Sequence, residues 1–214
     1  MTFARSDLER RLCGGLADLS LTLPAPTVAR LLDYLELLTR WNRSYNLTAV
    51  RDPAAMVTRH LLDALTIAPY VTGQSAIDLG SGAGIPGLVL AIAEPQRPWC
   101  LVDANGKKAR FLRAAVRELA LDHVRVAQQR VEDVGGQYDC VTARAFASLG
   151  DMLQWGGHLL APNGVWLAMK GQYPQAELDA LPAEFTVRDV HTLAVPGLDA
   201  ERRLVCLGRS GAAP

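Results

Sequence analysis

Two hydrophobic rhythms divide the chain near residue 74. Before it, apolar residues recur every three or four positions: Leu8, Leu12, Leu16 and Leu19, then Val28, Leu31, Leu32, Leu35 and Leu38, then Val57, Leu61, Leu65 and Ala68. That spacing lines one face of a helix and predicts three of them. Pro24 and Pro26 separate the first two, with Thr27 placed to cap the second. The second helix fades over 41–46. Asp52-Pro53 starts the third, a capping carboxylate followed by proline at the first helical position.

After Gln74 the rhythm changes to short apolar runs. Strands are predicted near 75–79, 99–102, 124–127, 138–142, 165–169, 185–195 and 204–208, and helices near 87–93, 105–119, 149–158 and 175–181. Strands alternating with helices predict an α/β fold, a mostly parallel sheet with helices on both faces. The last two strands have only a turn at Pro196-Gly197 between them, so one of them is expected to run antiparallel at the sheet edge. The expected organisation is an N-terminal helical extension (1–73), a seven-stranded α/β core (74–209) and a frayed tail (210–214).

Composition narrows this picture only a little. Half of the 214 residues are hydrophobic and 21% are charged, as in ordinary globular chains. No run of 18 apolar residues occurs, so no membrane-spanning helix is expected, and Met1–Leu12 lacks the apolar centre of a signal peptide. The chain reads as cytoplasmic. Cys13, Cys100, Cys140 and Cys206 form no C-x-x-C pair, which supports neither zinc nor redox chemistry, and no metal site is expected. Net charge is zero, and only three of the 22 basic residues are lysine. Genomic base composition accounts for that bias, and so does the fitness of arginine for phosphates and stacked bases.

The chemistry centres on Asp78-Leu79-Gly80-Ser81-Gly82-Ala83-Gly84-Ile85-Pro86-Gly87, a glycine turn between a strand and a helix. Such a turn cradles a nucleotide cofactor. Gly82-x-Gly84-x-x-Gly87 also fits a dinucleotide-binding loop. Three features favour S-adenosylmethionine. Asp78 puts negative charge at the strand tip, suited to an ammonium and hostile to a pyrophosphate. The glycine series begins early, at Gly80. The sheet ends in a hairpin, giving a Rossmann-like S-adenosylmethionine methyltransferase arrangement. Asp103, ending the second strand, is placed for ribose hydroxyls. Val131 and Glu132, after the third, are placed for adenine. Arg110, Arg113 and Arg117 share one helix face, expected to be solvated. Polar clusters at 41–48 with Arg51, Arg59 and His60, and after the later strands at Arg144, Lys170 and Arg202-Arg203, outline a basic rim.

These residues resemble a known family, the 16S ribosomal RNA guanine-N7 methyltransferases (glucose-inhibited division protein B). The resemblance covers about 35–207. It rests on Trp41-Asn42-Arg43-x-Tyr45-Asn46-Leu47-Thr48, Arg59-His60-x-x-Asp63, the glycine loop, Gly106-Lys107-x-x-Arg110-Phe111-Leu112, Arg144-Ala145-Phe146-Ala147, Lys170-Gly171-Gln172 and Glu201-Arg202-x-Leu204-Val205. It implies cofactor contacts at Gly80, Gly82, Ile85, Asp103, Val131, Glu132 and Arg144, to which the charge argument adds Asp78. It implies methyl transfer to N7 of one guanine in the decoding region of 16S ribosomal RNA. Asn46, Arg59, His60, Arg144, Lys170 and Arg203 are then the candidate RNA contacts. Arg144 and Lys170 are the candidate catalytic pair, holding phosphate, base O6 or the cofactor carboxylate rather than moving protons. The partner expected is 16S ribosomal RNA or the small ribosomal subunit, with no membrane and no stable protein partner.

Overall fold

The computed structural model describes residues 4–144 and 147–211. Strands β1 (Ala76–Leu79), β2 (Trp99–Val102), β3 (Val124–Ala127), β4 (Tyr138–Arg144), β5 (Leu160–Lys170), β6 (Phe185–Thr192) and β7 (Arg203–Arg209) form one sheet in the order β3-β2-β1-β4-β5-β7-β6. Strands β1 to β5 pair in parallel, while β7 pairs antiparallel with both β5 and β6. The reversed strand therefore does not lie at the edge, as the hairpin argument expected. It inserts between β5 and β6, and β6 takes the edge. The burial of the two strands explains the choice: Leu204, Val205 and Leu207 of β7 are buried, whereas β6 has no buried residue.

Helices α1 (Arg5–Asp18) and α2 (Ala25–Tyr45) match the leucine stripes, whose members are buried except for half-buried Leu19. Thr27 does not cap α2. The helix begins two residues earlier behind Pro24, with Pro26 in its first turn, where a missing N–H costs nothing. Asp52 does cap as expected, accepting from the Ala55 N–H at 3.0 Å. The third helix is less regular than its apolar spacing implied. It is α-helical at α3 (Pro53–Met56), π-helical over Val57–Leu62, and α-helical again at α4 (Asp63–Leu65). Then follow α5 (Gly87–Ala93), α6 (Gly106–Glu118), α7 (Leu149–Gly156) and α8 (Gln175–Asp179). Asn105 caps α6 by accepting from the N–H groups of Lys107 and Lys108.

One apolar core lies on each side of the sheet. The first joins leucines of α1 and α2 to α5, α6 and Leu101, Leu167 and Leu204 of the strands. The second packs Leu149, Met152 and Leu153 of α7 against Ile77, Val141 and Trp166. The N-terminal helices from α1 to α4 thus share a core with the sheet. Of the expected tail, Ser210 is tied to Glu184 and Ala183 by hydrogen bonds, and residues 212–214 lie outside the described residues.

Candidate active site

Parallel strands deliver their carboxyl ends to one rim, and ligands of such sheets bind there. At that rim Leu79 is followed by Gly80 and Gly82 with φ of 66° and 57°, values that favour glycine. The loop is fastened from three directions. Ser81 N donates to Val102 O at 2.9 Å. Gly82 N donates to Asp103 Oδ2 at 2.9 Å, and the buried Tyr34 of α2 donates to Ala83 O at 2.7 Å. Burial pushes the Tyr34 phenol far up, so it stays a donor. The N-terminal helical layer thereby sets the shape of the glycine loop, a role that its leucine pattern does not reveal.

Two hollows meet at Gly80 and Lys108. The larger, about 520 Å³, is bounded by Gly80–Ala83, Ile85, Leu47, Thr48, Asp63, Arg144, Lys170 and Arg202. The smaller, about 390 Å³, is bounded by Asp103, Ala104, Val131, Glu132 and Trp155. Gly80, Gly82, Ile85, Asp103, Val131, Glu132, Arg144 and Lys170 therefore all border this bipartite space. Asp103 Oδ1 accepts from Asn105 N at 2.8 Å, and a carboxylate with two bonds made retains lone pairs for hydroxyl donors.

Asp78 is placed differently from its expected role. Its carboxylate is fully buried behind the loop, accepting from Thr142 Oγ1 at 2.8 Å and Gly87 N at 3.2 Å. It borders neither hollow and shapes the turn instead of meeting an ammonium. Burial raises its carboxyl to about 6 despite those donors. Gly87 is required on the same account, since a Cβ there would lie 2.4 Å from the Asp78 Cβ.

The rim charges are largely paired. Asp63, 1% exposed, accepts from Arg144 Nη1 at 2.8 Å and Arg202 Nε at 3.0 Å. Arg144 Nη1 also donates to the Arg59 carbonyl at 3.1 Å, while Arg59 itself is exposed. Lys170 donates to Glu177 Oε2 at 2.7 Å and to Ala147 O at 3.0 Å. The same Glu177 oxygen accepts from Leu149 N at 2.5 Å, so Lys170 ties α7 and α8 to the rim. Arg203 pairs with Glu201 and Thr192 and lies over the Tyr173 ring. Sequence reasoning places Arg202 only in a basic rim and Asp63 only in the Arg59-His60-x-x-Asp63 motif, and does not bring the two together. The signal was present: an acid set inside the apolar run Leu61-Leu62-Asp63-Ala64-Leu65 needs a buried partner.

The cluster at 41–48 is mostly structural. Buried Asn42 accepts from Thr48 N and donates to the Thr48 and Val50 carbonyls. Trp41 packs on Tyr45 and Phe111. Asn46, exposed, ends α2 in a left-handed conformation (φ 50°) and accepts from Arg51. His60 is 4% exposed, with Nε2 2.9 Å from Thr48 Oγ1, and burial lowers its imidazole to about 4. It is a neutral packing histidine that holds the 47–50 loop, so its expected RNA contact is withdrawn. The helical stripe hid this because His60 sits in the π-helical turn. Ala145 and Phe146 of the Arg144-x-x-Ala147 motif lie outside the described residues.

A seven-stranded sheet with one reversed strand inserted beside the edge, and a glycine-turn hollow at its carboxyl rim, defines the chain as a Rossmann-like methyltransferase fold. The magnesium protoporphyrin IX methyltransferase (ChlM) from Synechocystis PCC 6803 shares that fold, with a TM-score of 0.59 at 16% identity over 87% of this chain and all of the other. The particular family follows from sequence. Residues 27–206 match the family described as GidB: rRNA small subunit methyltransferase G, and the chain belongs to it. Ribosomal RNA small subunit methyltransferase G of Xanthomonas campestris pv. campestris (strain B100) is 54% identical over 201 residues, covering 93% of this chain and 94% of that protein. The protein of the same name from Stenotrophomonas maltophilia (strain K279a) is 55% identical over 193 residues, covering 89% and 90%.

Proposed function

We propose that this chain transfers a methyl group from S-adenosylmethionine to N7 of a guanine in the decoding region of 16S ribosomal RNA. Membership of the GidB family supports the reaction class and the substrate class. The bipartite hollow supports the cofactor, because its shape suits a ligand with a nucleoside at one end and an amino acid at the other. Asp103 would take the ribose hydroxyls, and Val131 and Glu132 the adenine. Gly80, Gly82 and Ile85 would face the methionine portion.

The observation that carries the N7 assignment is the pairing of the ionisable groups around the larger hollow. Asp63 is held between two guanidiniums, and Lys170 is held by Glu177. His60 is buried and bonded to Thr48. Among the described residues bordering that hollow, none is set up as a general base. Guanine N7 bears no proton, so none is needed. When bound, the cofactor supplies an electrophilic methyl on a sulfonium. The N7 lone pair would take that methyl as the C–S bond electrons stay with sulfur, leaving the positive charge on the purine. What remains for the chain is alignment. Arg144, its orientation fixed by Asp63 and the Arg59 carbonyl, would hold the guanine O6, a phosphate or the cofactor carboxylate. Lys170, paired with Glu177, would hold the rim in shape without adding a free cation beside the purine.

Small-subunit RNA from a strain lacking this activity, incubated with the protein and methyl-labelled cofactor, tests the proposal. Label is expected in 7-methylguanosine at one position, and Arg144→Ala should lower transfer at least about tenfold. Folded protein that places no methyl on any guanine N7 would sink it.

A further inference from the structure

We propose that the outer face of α6 is a second, non-catalytic contact for the phosphate backbone of the RNA substrate. The inference rests on the RNA-methylating reading above and extends it to a surface outside the cavity. Arg110, Arg113 and Arg117 are exposed and line one hollow with the half-buried Trp41 and with Gln128. Most rim arginines hold a carboxylate, as Arg144, Arg202 and Arg203 do. These three do not, among the described residues. Arg110 donates to the Tyr45 hydroxyl at 3.2 Å and Arg113 to the Gln128 amide oxygen at 3.0 Å, both neutral. Neutral partners orient a guanidinium without cancelling its charge.

The helix bears a cost for this arrangement. Like charges at i,i+3 and i,i+4 repel by a few tenths of a kcal/mol per pair. The first turn of α6 has no acid and carries Lys107 and Lys108, the wrong sign for the helix dipole. In a chain of zero net charge, a solvated face had no need of such a concentration. Two nearby acids leave it intact. Glu118 is taken by Arg40, and Asp122 borders the adjoining hollow without an ion pair among the described residues. Lys108, on the opposite side of α6 and 3.7 Å from Asp103, borders both parts of the cofactor cavity, so the same helix flanks the cavity and presents the arginines over about 10 Å of its other face. An RNA strand whose target base enters the cavity can lay its flanking phosphates on that face. Trp41 in its wall offers a sequence-tolerant apolar surface to a base or sugar.

The test is direct binding of small-subunit ribosomal RNA to the full chain, titrated with salt, for wild type, the triple variant Arg110→Gln/Arg113→Gln/Arg117→Gln and the corresponding triple lysine variant. Each lost phosphate contact should lower the slope of log K against log salt by about 0.7, so the glutamine variant should lose about 2. Its affinity at moderate salt should fall at least tenfold, with lysine restoring most of it. The KM for RNA should rise while kcat and cofactor affinity stay near wild type. Unchanged slope and affinity in a glutamine variant that melts like wild type would overturn the proposal. So would wild-type protein that does not bind this RNA. Wild type that binds the RNA but transfers no methyl would defeat the function reading alone, since the slopes still decide the fate of α6.

Discussion

Replacing Asp78 by asparagine should reshape the dependence of stability on pH. The fully buried carboxyl is raised by desolvation from 3.8 to about 6. Between those values the folded protein holds a proton that the unfolded chain releases. Stability from this group is therefore present at low pH and lost as pH rises through about 6. The gap of about two pH units corresponds to roughly 3 kcal/mol. His60 acts with the opposite sign. Its imidazole falls from 6.5 to about 4, so the unfolded chain binds a proton that the folded protein lacks. Its contribution is lost as pH falls through that window, by a similar roughly 3 kcal/mol. In wild type the two slopes oppose each other, and Asp78→Asn leaves His60 alone. The amide can keep both contacts: its oxygen accepts from Gly87 N, and its nitrogen donates to Thr142, whose hydroxyl turns to Ile77 O at 3.4 Å. Urea unfolding followed by circular dichroism from pH 4 to 7 checks this. The variant should be at least as stable as wild type at pH 7, and its advantage should shrink by about 2–2.5 kcal/mol on going to pH 4, where the unfolded carboxyl is still partly ionised. Parallel profiles for the two proteins would refute the reasoning. Cofactor affinity at pH 7 is a second readout. A loss beyond about tenfold, 1.4 kcal/mol, in an equally stable variant would put the carboxylate in contact with the ligand after all.

Gly87→Ala should destabilise by about 1–3 kcal/mol in urea, because its Cβ would meet the buried Asp78 side chain with no room to retreat. Gly82→Val faces no close neighbour, the nearest atom being Gly80 O at 3.7 Å. It should fold with a cost of about 1–2 kcal/mol for its left-handed φ, yet bind S-adenosylmethionine at least tenfold more weakly by calorimetry. Asp63→Ala strands two guanidiniums. Both keep about a quarter of their side-chain surface exposed (25% and 27%), so the expected loss is about 1–3 kcal/mol rather than the 3–5 of a fully buried pair. Methyl transfer should fall with it, and Arg202→Ala alone should reproduce part of that fall.

The elements were legible because their patterns are local. Leucines at helical spacing and short apolar runs between turn residues need only neighbours in sequence. The glycine turn and Asp103 were legible for the same reason, since both follow directly from a strand end. Position in the sheet was not. The insertion of β7 between β5 and β6 is decided by burial of Leu204, Val205 and Leu207 against distant strands. The roles of ionisable residues were hardest to read. Asp78 and His60 carry charge-bearing chemistry in their names and packing roles in the fold, because Thr142 and Thr48 wait for them from remote or irregular segments. Asp63 shows the converse. Its meaning depends on Arg202, 139 residues further along.

That separation has a consequence for the order of synthesis. Strand β6 emerges before β7, yet pairs with nothing but β7 in the sheet. It must wait for a neighbour made after it. Strands β1 to β5 and the helical layer can assemble earlier, with the glycine loop already fastened by Tyr34. In such a partly made chain Asp63 has Arg144 but not Arg202. The rim therefore cannot be complete before Arg202 has been made, so an enzyme that methylates ribosomal RNA can acquire its full rim only once most of its own translation is done.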